Sequence, residues 1–442
     1  MKKVPSISTF KVFANRRTIQ KNPLNFHHRN FKKLGDTFSV SIPAEGRVIF
    51  TRDPELVKQV LQKKHRSFEK SKLQTRDLAK YIGHGLLTSN GEHWRTHRRM
   101  IQPAFHQKKL KGLLGIMRSA IQEELDRIKP GSDLNVIPLM GDLAFQVVAK
   151  TLFSHNDIRQ PMTELKQITE VNQNMLVTEM RRPYFRWWYR LTGEITKHIG
   201  FSNRARDILN GLVENRLSQD VDRDDLLDML LKATYEDGTH MPRKQLLDEL
   251  MILFTAGYET TASALSFTLF FLAKNQLAQE KILGEVTNLG KTQLEWEDFA
   301  KLPLTSSSIK EAMRLYPPAY FMDRVATENT DLNGIRIKKG GMILLSIFEL
   351  HRHPSFWENP YAYQVDRFVG LDSKAYGNYF YPFGAGPRMC IGNAMATYEM
   401  ILTVAEIVKN FKLSTKMEKV EINPLITLKP LDIQVNFERR NS

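Results

Sequence analysis

A single cysteine, Cys390, stands in a chain of 442 residues. One thiol makes no internal disulfide, no four-cysteine zinc or iron–sulfur centre and no two-cysteine attachment of a c-type haem. It leaves open a thiolate acting alone, and it fits a reducing, intracellular setting. The sequence also lacks internal repeats, low-complexity tracts and a linker. Its first 24 residues carry Lys and Arg but no apolar stretch of secretory length, so neither a signal peptide nor an N-terminal anchor is expected. One apolar run, 250–273, is about a membrane span long. It holds Glu259, and a carboxylate near mid-bilayer costs at least ~2.5 kcal/mol. Thr255, Thr260, Thr261, Ser263 and Ser266 lie beside it, so the expected reading is a helix buried inside a large protein.

What is present is the composition of a globular protein. At 42% hydrophobic residues, a large core is possible and disorder is excluded. Lys and Arg number 64 against 48 Asp and Glu, a net charge of +16. That balance fits an acidic partner or surface, or simply a lysine-rich composition.

Apolar periodicity predicts helices over 54–61, 92–129, 139–152, 162–180, 193–217, 226–233, 250–273, 304–315 and 394–411. Between 37 and 50 the alternation predicts two short strands around Glu45-Gly46. A hairpin is expected from 335–338 and 342–345 about a Lys339-Gly340 turn, and 425–437 reads as strand-like. The expectation is one mainly α domain with small β-sheets over 1–442, its first 30 or so residues an arm.

The densest signal is Phe383-Gly-Ala-Gly-Pro-Arg-Met-Cys-Ile-Gly392, just before a predicted helix. Its glycines let the backbone approach something flat, where a Cβ would clash. Cys390 sits ahead of the helix N-terminus and two residues from Arg388, and both stabilise a thiolate. A lone cysteine on a glycine turn is ordinarily just a small buried residue; here the spacing and the arginine favour a soft ligand for iron, with haem the main case.

These residues resemble the haem-ligand signature of the cytochrome P-450 family: Phe, two residues, Gly, then Arg, Cys and Gly at alternate positions. Phe383, Gly386, Arg388, Cys390 and Gly392 match, and the likeness extends over about 34–435. It implies the fold of that family, with haem between a long central helix and the cysteine loop. The cofactor implied is haem b (protoporphyrin IX iron), non-covalent, with Cys390 as axial thiolate. A soluble, cytoplasmic, bacterial-type form without a fused reductase is expected, as a monomer.

In the long helix, Ala256-Gly257-Tyr258-Glu259-Thr260-Thr261 thins one face and places an ionisable acid beside a hydroxyl. Cleaving an O–O bond needs protons, and a carboxylate–hydroxyl relay can deliver them. Threonines bonded back to the preceding turn would be the plainer account. The motif is similar to the family's Ala/Gly-Gly-x-Asp/Glu-Thr-Thr, which implies a catalytic role for Glu259 and Thr260.

Glu311 and Arg314 are i,i+3 on one helix face, and exposed pairs of that kind are worth under ~1 kcal/mol. The resemblance implies more: a structural network with Arg367 behind the cysteine loop, although Val365 stands where the family usually has proline. Trp94 and Arg98, i,i+4, match the family's Trp-x-x-x-Arg and with Arg324 and Arg388 are expected to meet the haem propionates. Phe383 is expected beside the haem. A pocket lined by His84, Leu86, Leu87, Leu253, Ala256, Ala319, Tyr320, Phe321, Ile426 and Thr427 would be largely apolar, and so would its substrate: a fatty acid, terpenoid or steroid.

Arg95, Arg98, Arg99, Lys108, Lys109 and Lys111 crowd one helical region, either a solvated face or a dock for an acidic ferredoxin or flavodoxin served by its own reductase. The run Arg181 to Arg190 interleaves cations and aromatics. Read alone it fits a nucleic-acid stacking surface or a membrane-interface strip. The resemblance places it in the lid over the substrate channel, with weak lipid contact and no nucleic acid. The function expected is a monooxygenase inserting one atom of O2 with two external electrons. The alternatives are a partner-free enzyme that uses peroxide or rearranges its substrate, and a non-catalytic haem sensor.

Overall fold

The computed structural model describes residues 2–42, 46–154, 159–219 and 223–440. Glu45, at the turn expected between the first strands, lies outside them. The strands themselves, Thr37–Ile42 and Gly46–Thr51, pair antiparallel. The chain divides into two compact units, Met1–Ser71 with Ser306–Cys390 and Val420–Leu431, and Lys72–Thr305 with Ile391–Lys419 and Asp432–Ser442.

The first unit is built on a six-stranded mixed sheet. Its order is Ser6–Ile7, Thr37–Ile42, Gly46–Thr51, Met342–Leu345, Met322–Ala326, Phe68–Glu69. Alternate residues Phe38 and Val40, and Val48 and Phe50, are buried against Phe26 and Phe31 of the helix Pro23–Leu34. Asn22 caps that helix by accepting from Leu24 N, and Gly35 at φ 90° ends it. The first thirty residues, expected as an arm, are thus a strand and helices contributing to a core.

The hairpin expected across Lys339-Gly340 does not form. Ile335–Ile337 pairs instead with Thr330–Leu332, while Met342–Leu345 enters the large sheet between Gly46–Thr51 and Met322–Ala326. The two-residue turn is Asn333-Gly334, at φ 53° and 87°. Positive φ at both positions matches the twist of the flanking strands, and Asn-Gly tolerates it best.

The second unit is mainly helical, centred on Arg243–Lys274 packed on Val136–Phe153. Phe145 meets Phe254 edge-on at 5.0 Å between ring centroids. Between Leu246 and Ala273 the long helix is buried except at Leu253, Ala256, Gly257, Thr260 and Phe271. Among the described residues, Val136–Phe153 is the helix long and apolar enough to cross a membrane, and 67% of it is buried.

The helix expected over 92–129 is broken into Gly91–Ile101, a 3-10 turn Gln102–Phe105 and Gln107–Leu125. Pro103 has no N–H to donate and its ring crowds the preceding turn, while the apolar period runs on past it. The strand-like C-terminal stretch is two strands: Leu428–Pro430, paired with Ile422–Pro424, and Gln434–Arg439, which joins Phe411–Ser414 and Asp133–Asn135.

Candidate active site

The cysteine loop is a tight double turn in the first unit. Cys390 N donates to Phe383 O at 2.9 Å, Met389 N to Gly386 O at 3.0 Å and Gly384 N to Tyr381 O at 3.1 Å. Gly384 and Gly386 take φ 73° and 69°, where an L side chain is strained. At Gly386 a Cβ would lie 2.0 Å from Leu61 O, so a backbone carbonyl, not a side chain, enforces glycine. The turn leaves Cys390 exposed and Arg388 half-buried, and the chain then enters the helix Asn393–Asn410.

Glu311, Arg314 and Arg367 form a buried network in the same unit. Arg314 grips Glu311 with two bonds, Nε to Oε2 at 2.7 Å and Nη2 to Oε1 at 2.9 Å, and both residues are 0% exposed. Arg367 Nε donates to Glu311 Oε1 at 2.9 Å, and the Gln364 amide adds a further bond at 3.1 Å. Val365, at the usual proline position, is buried, and Arg367 N still closes the turn on Gln364 O at 3.2 Å. Both guanidinium groups lie over the Trp357 ring, at 5.2 and 5.9 Å.

A residue outside the sequence expectation links this network to the cysteine loop. Arg314 Nη1 donates to His351 O at 2.9 Å, and Tyr381 N donates to His351 Nε2 at 2.8 Å. Tyr381 O in turn accepts from Gly384 N. Burial pushes the His351 imidazole down to about 3, so it is neutral and Nε2 is free to accept. The only sequence signal was an unassigned His351-Arg352-His353 run, and nothing in it names Tyr381 as partner.

Arg324, on the strand Met322–Ala326, is 8% exposed and, among the described residues, makes one hydrogen bond, Nη1 to Asp323 O at 2.7 Å. Desolvation lowers its guanidinium pKa, with Asp323 opposing. A buried guanidinium with donors to spare suits a carboxylate ligand. Tyr320 is packed with Leu24 and Leu428, and its hydroxyl donates to Leu425 O at 2.7 Å. It therefore supports the turn carrying Ile426 and Thr427. Ala319, Phe321 and Ile426 are half-buried.

In the second unit, Leu253, Ala256, Gly257 and Thr260 form one strip of the long helix that neighbours leave uncovered. Thr260 faces along this strip, and its hydroxyl donates to Ala256 O at 2.9 Å. Glu259, one residue earlier, is 3% exposed on a different face. The acid and the alcohol are adjacent in sequence yet diverge in space. At the edge of the strip, a Cβ on Gly257 would meet Val148 Cγ2 at 3.1 Å, so glycine there also serves helix packing.

Trp94 is buried and Arg98 half-buried on the helix Gly91–Ile101, with Arg98 Nε donating to Gln102 Oε1 at 3.1 Å. Leu86 is 8% exposed and Leu87 37%, and His84 is exposed. The basic cluster is largely ion-paired: Arg95 with Glu92, Arg99 with Glu236, Lys109 with Asp224 and Lys111 with Glu297. Six cations against these four acids leave two net charges.

A sequence model of the family described as cytochrome P-450 matches residues 4–437. The chain belongs to the cytochrome P-450 family. Rat cytochrome P-450 4A12 (Rattus norvegicus) is 30% identical over 85% of this chain and 78% of its own length. Human cytochrome P-450 4A11 (Homo sapiens) is 31% identical over 84% and 75%. A bacterial relative from Streptomyces melanosporofaciens, cyclooctat-9-en-7-ol 5-monooxygenase, is 30% identical over 85% and 84%. The fold matches the crystallised haem domain of a cytochrome P-450DA mutant with a TM-score of 0.88 at 23% identity, over 100% of this chain and 98% of that one.

As a cytochrome P-450 the protein is a monooxygenase and holds non-covalent haem on a cysteine thiolate. Cys390 is its one cysteine, so Cys390 is that ligand. The local structure fits the role: an outward-facing thiol, a turn into which no Cβ would fit at Gly386, and a buried cation in Arg324. The family also brings an external redox partner, O2 and an organic substrate.

Proposed function

We propose that this cytochrome P-450 hydroxylates a lipophilic substrate with two electrons from a ferredoxin or flavodoxin and its reductase. Bound haem supplies the site where O2 is reduced and its O–O bond broken. The observation that carries the reading is the uncovered strip of the long helix, which presents Thr260 one turn beyond Ala256 and two turns beyond a half-open Leu253. The Thr260 hydroxyl, donating to Ala256 O, leaves its oxygen lone pairs to hold a water, and Glu259 supplies the proton that recharges it after a side-chain rotation. Cys390 holds the iron from its turn. Arg324, Arg388, Trp94 and Arg98 bind the propionates, Phe383 lies beside the ring, and the Glu311–Arg314–Arg367 network retains the cofactor. Leu86, Leu87, Leu253, Ala256, Ala319 and Ile426 give apolar lining, and fatty acids are the first class to test. The Streptomyces relative is named as a monooxygenase of a cyclic alcohol, cyclooctat-9-en-7-ol, which keeps terpenoids next.

The test is turnover of dodecanoic acid by the purified haem protein under labelled O2, after a screen for substrate-induced spin-state shifts over fatty acids, terpenoids and steroids. NADPH with a ferredoxin or flavodoxin and its reductase is expected to give one labelled oxygen per product. Turnover that is faster with peroxide alone would favour the partner-free reading, and product from no substrate that shifts the spin state would favour the sensor. The basic cluster keeps two net charges as a dock for the acidic donor, and its exposed pairs open at under ~1 kcal/mol each. The protein is proposed to act as a cytoplasmic monomer.

Weak lipid contact belongs to the segment after Arg181. Tyr184, Phe185, Trp187, Trp188 and Leu191 are exposed there at 42 to 72%, flanked by exposed Arg182 and Arg190. Arg186 fastens the segment, pairing with Asp77 at 2.7 Å and with the buried Glu179 at 3.5 Å. Cosedimentation is expected with vesicles containing phosphatidylglycerol and several-fold less for Trp187→Ser with Trp188→Ser; equal binding of the two proteins would reject it.

A further inference from the structure

Two neighbouring acids on the long helix hold a loop more than 150 residues away in sequence. Asp248 is 3% exposed and Glu249 0%, and neither belongs to the chemistry proposed above. His84 N donates to Asp248 Oδ2 at 3.0 Å, and Leu86 N to Glu249 Oε2 at 3.0 Å. Alternate amides of one turning stretch are therefore gripped by successive carboxylates. The glycines that precede each of these amides, Gly83 and Gly85, are explained by contact. A Cβ on Gly83 would lie 2.1 Å from Asp248 Oδ1, and one on Gly85 would lie 2.6 Å from the Glu249 carboxyl carbon. Gln245 Nε2 adds a bond to His84 O at 2.6 Å, and Thr88 Oγ1 closes the loop on Gly83 O at 2.7 Å.

Each carboxylate has a second attachment. Asp248 Oδ1 accepts from Arg206 Nε at 3.0 Å. Glu249 Oε1 accepts from Gln245 Nε2 at 3.3 Å, and it lies 3.0 Å from Nδ1 of His97, on the helix that carries Trp94 and Arg98, without hydrogen-bond geometry between the two. The His97 ring stacks on His93 at 4.2 Å, and Nε2 meets the Tyr235 hydroxyl at 3.4 Å. Glu249 thus joins the 83–89 loop to the long helix through one buried group, with His97 of the Trp94 helix packed beside it.

We propose that Glu249 is a positioning residue for substrate: it fixes the 83–89 loop and so sets the apolar wall made by Leu86 and Leu87. This rests on the pocket proposed above. A carboxylate accepting from an amide contributes more than a neutral acceptor, and a buried amide left without an acceptor is penalised. The loop is expected to be a set wall in the wild type and a mobile one without the acid.

The probes are imidazole, which ligates the iron wherever the wall stands, and 1-dodecylimidazole, whose chain also reads the wall. In Glu249→Leu, amide hydrogen exchange across 83–89 should rise about tenfold, and the affinity gain of the dodecyl compound over imidazole should fall by a similar factor. Imidazole affinity and the carbon monoxide spectrum should stay as in the wild type. Glu249→Gln keeps an acceptor for Leu86 N and should retain most of both. Unchanged exchange with an unchanged dodecyl gain, or an equal loss for both imidazoles, would overturn the proposal. Should the leucine variant not fold, Gly85→Ala drives a methyl into the same carboxylate and is expected to produce the same two changes; their absence overturns it equally. A wild-type protein that gives no imidazole shift would instead reject the haem pocket, and the exchange measurement still decides whether Glu249 holds the loop.

Discussion

Cys390→Ser is expected to abolish the red-shifted Soret band of the reduced carbon monoxide complex and to lower oxygenation about a thousandfold, on the order of 4 kcal/mol of barrier. The cysteine loop is shaped by its backbone. The bonds that shape it run between backbone atoms, from Cys390 N to Phe383 O and from Met389 N to Gly386 O, and Gly386 is set by Leu61 O. Serine is close in size, so the turn should form and present an oxygen where the sulfur was. A serine hydroxyl is not ionised near neutral pH, whereas a thiol is readily made anionic beside a cation such as Arg388. The variant therefore separates ligand chemistry from fold. Its far-ultraviolet circular dichroism and unfolding midpoint should match the wild type while the spectrum changes. A sulfur-type band surviving in the serine variant, or missing from the native protein, would remove Cys390 as the ligand.

The cysteine turn was legible because its determinants are local: glycines at positive φ and a thiol within ten residues, all read from one stretch of sequence. Helices with an unbroken apolar stripe, such as Arg159–Arg181 and Asn393–Asn410, were legible for the same reason. The errors came where a local signal was outweighed or skipped. Periodicity carried the helix through Pro103, and Lys339-Gly340 was preferred to the better turn at Asn333-Gly334. Distant pairing was hidden altogether. His351 meets Tyr381, and Glu249 meets Leu86 across a separation of 163 residues, and a hydrogen bond to a backbone amide leaves no trace in the partner's residue type. Glu259 shows the opposite limit, since its neighbourhood to Thr260 in sequence did not make the two side chains point together. One helical residue is a rotation of about 100°, enough to separate a buried acid from an uncovered alcohol.

The second large effect is expected at Glu311. Glu311→Ala leaves the Arg314 and Arg367 guanidinium groups buried without their carboxylate, and Arg314 is 0% exposed. Breaking a buried pair in this way costs about 3–5 kcal/mol, a large part of the ~5–15 kcal/mol that holds a typical domain. The carbonyl bonds from Arg314 to His351 O, Pro360 O and Ala362 O cannot neutralise the charge, and they would drag those loops with the released side chain. Because His351 also accepts from Tyr381 N, the disturbance should reach the cysteine loop, giving haem loss together with a lowered unfolding midpoint. Glu311→Gln keeps an acceptor for one guanidinium and should fall between the two. Acid should act through the same place. The neutral His351, held down to about 3, binds no proton in the folded state where the unfolded chain, at about 6.5, does. Its contribution to stability is complete above pH ~6.5 and is lost progressively as pH falls toward 3. Hydrogen exchange locates the damage: in Glu311→Ala it should rise first over 351–384, ahead of the helix Val136–Phe153. A variant with an unchanged midpoint and full haem content would show that this network is decoration, and that the loop keeps its shape by the Gly386–Leu61 contact alone.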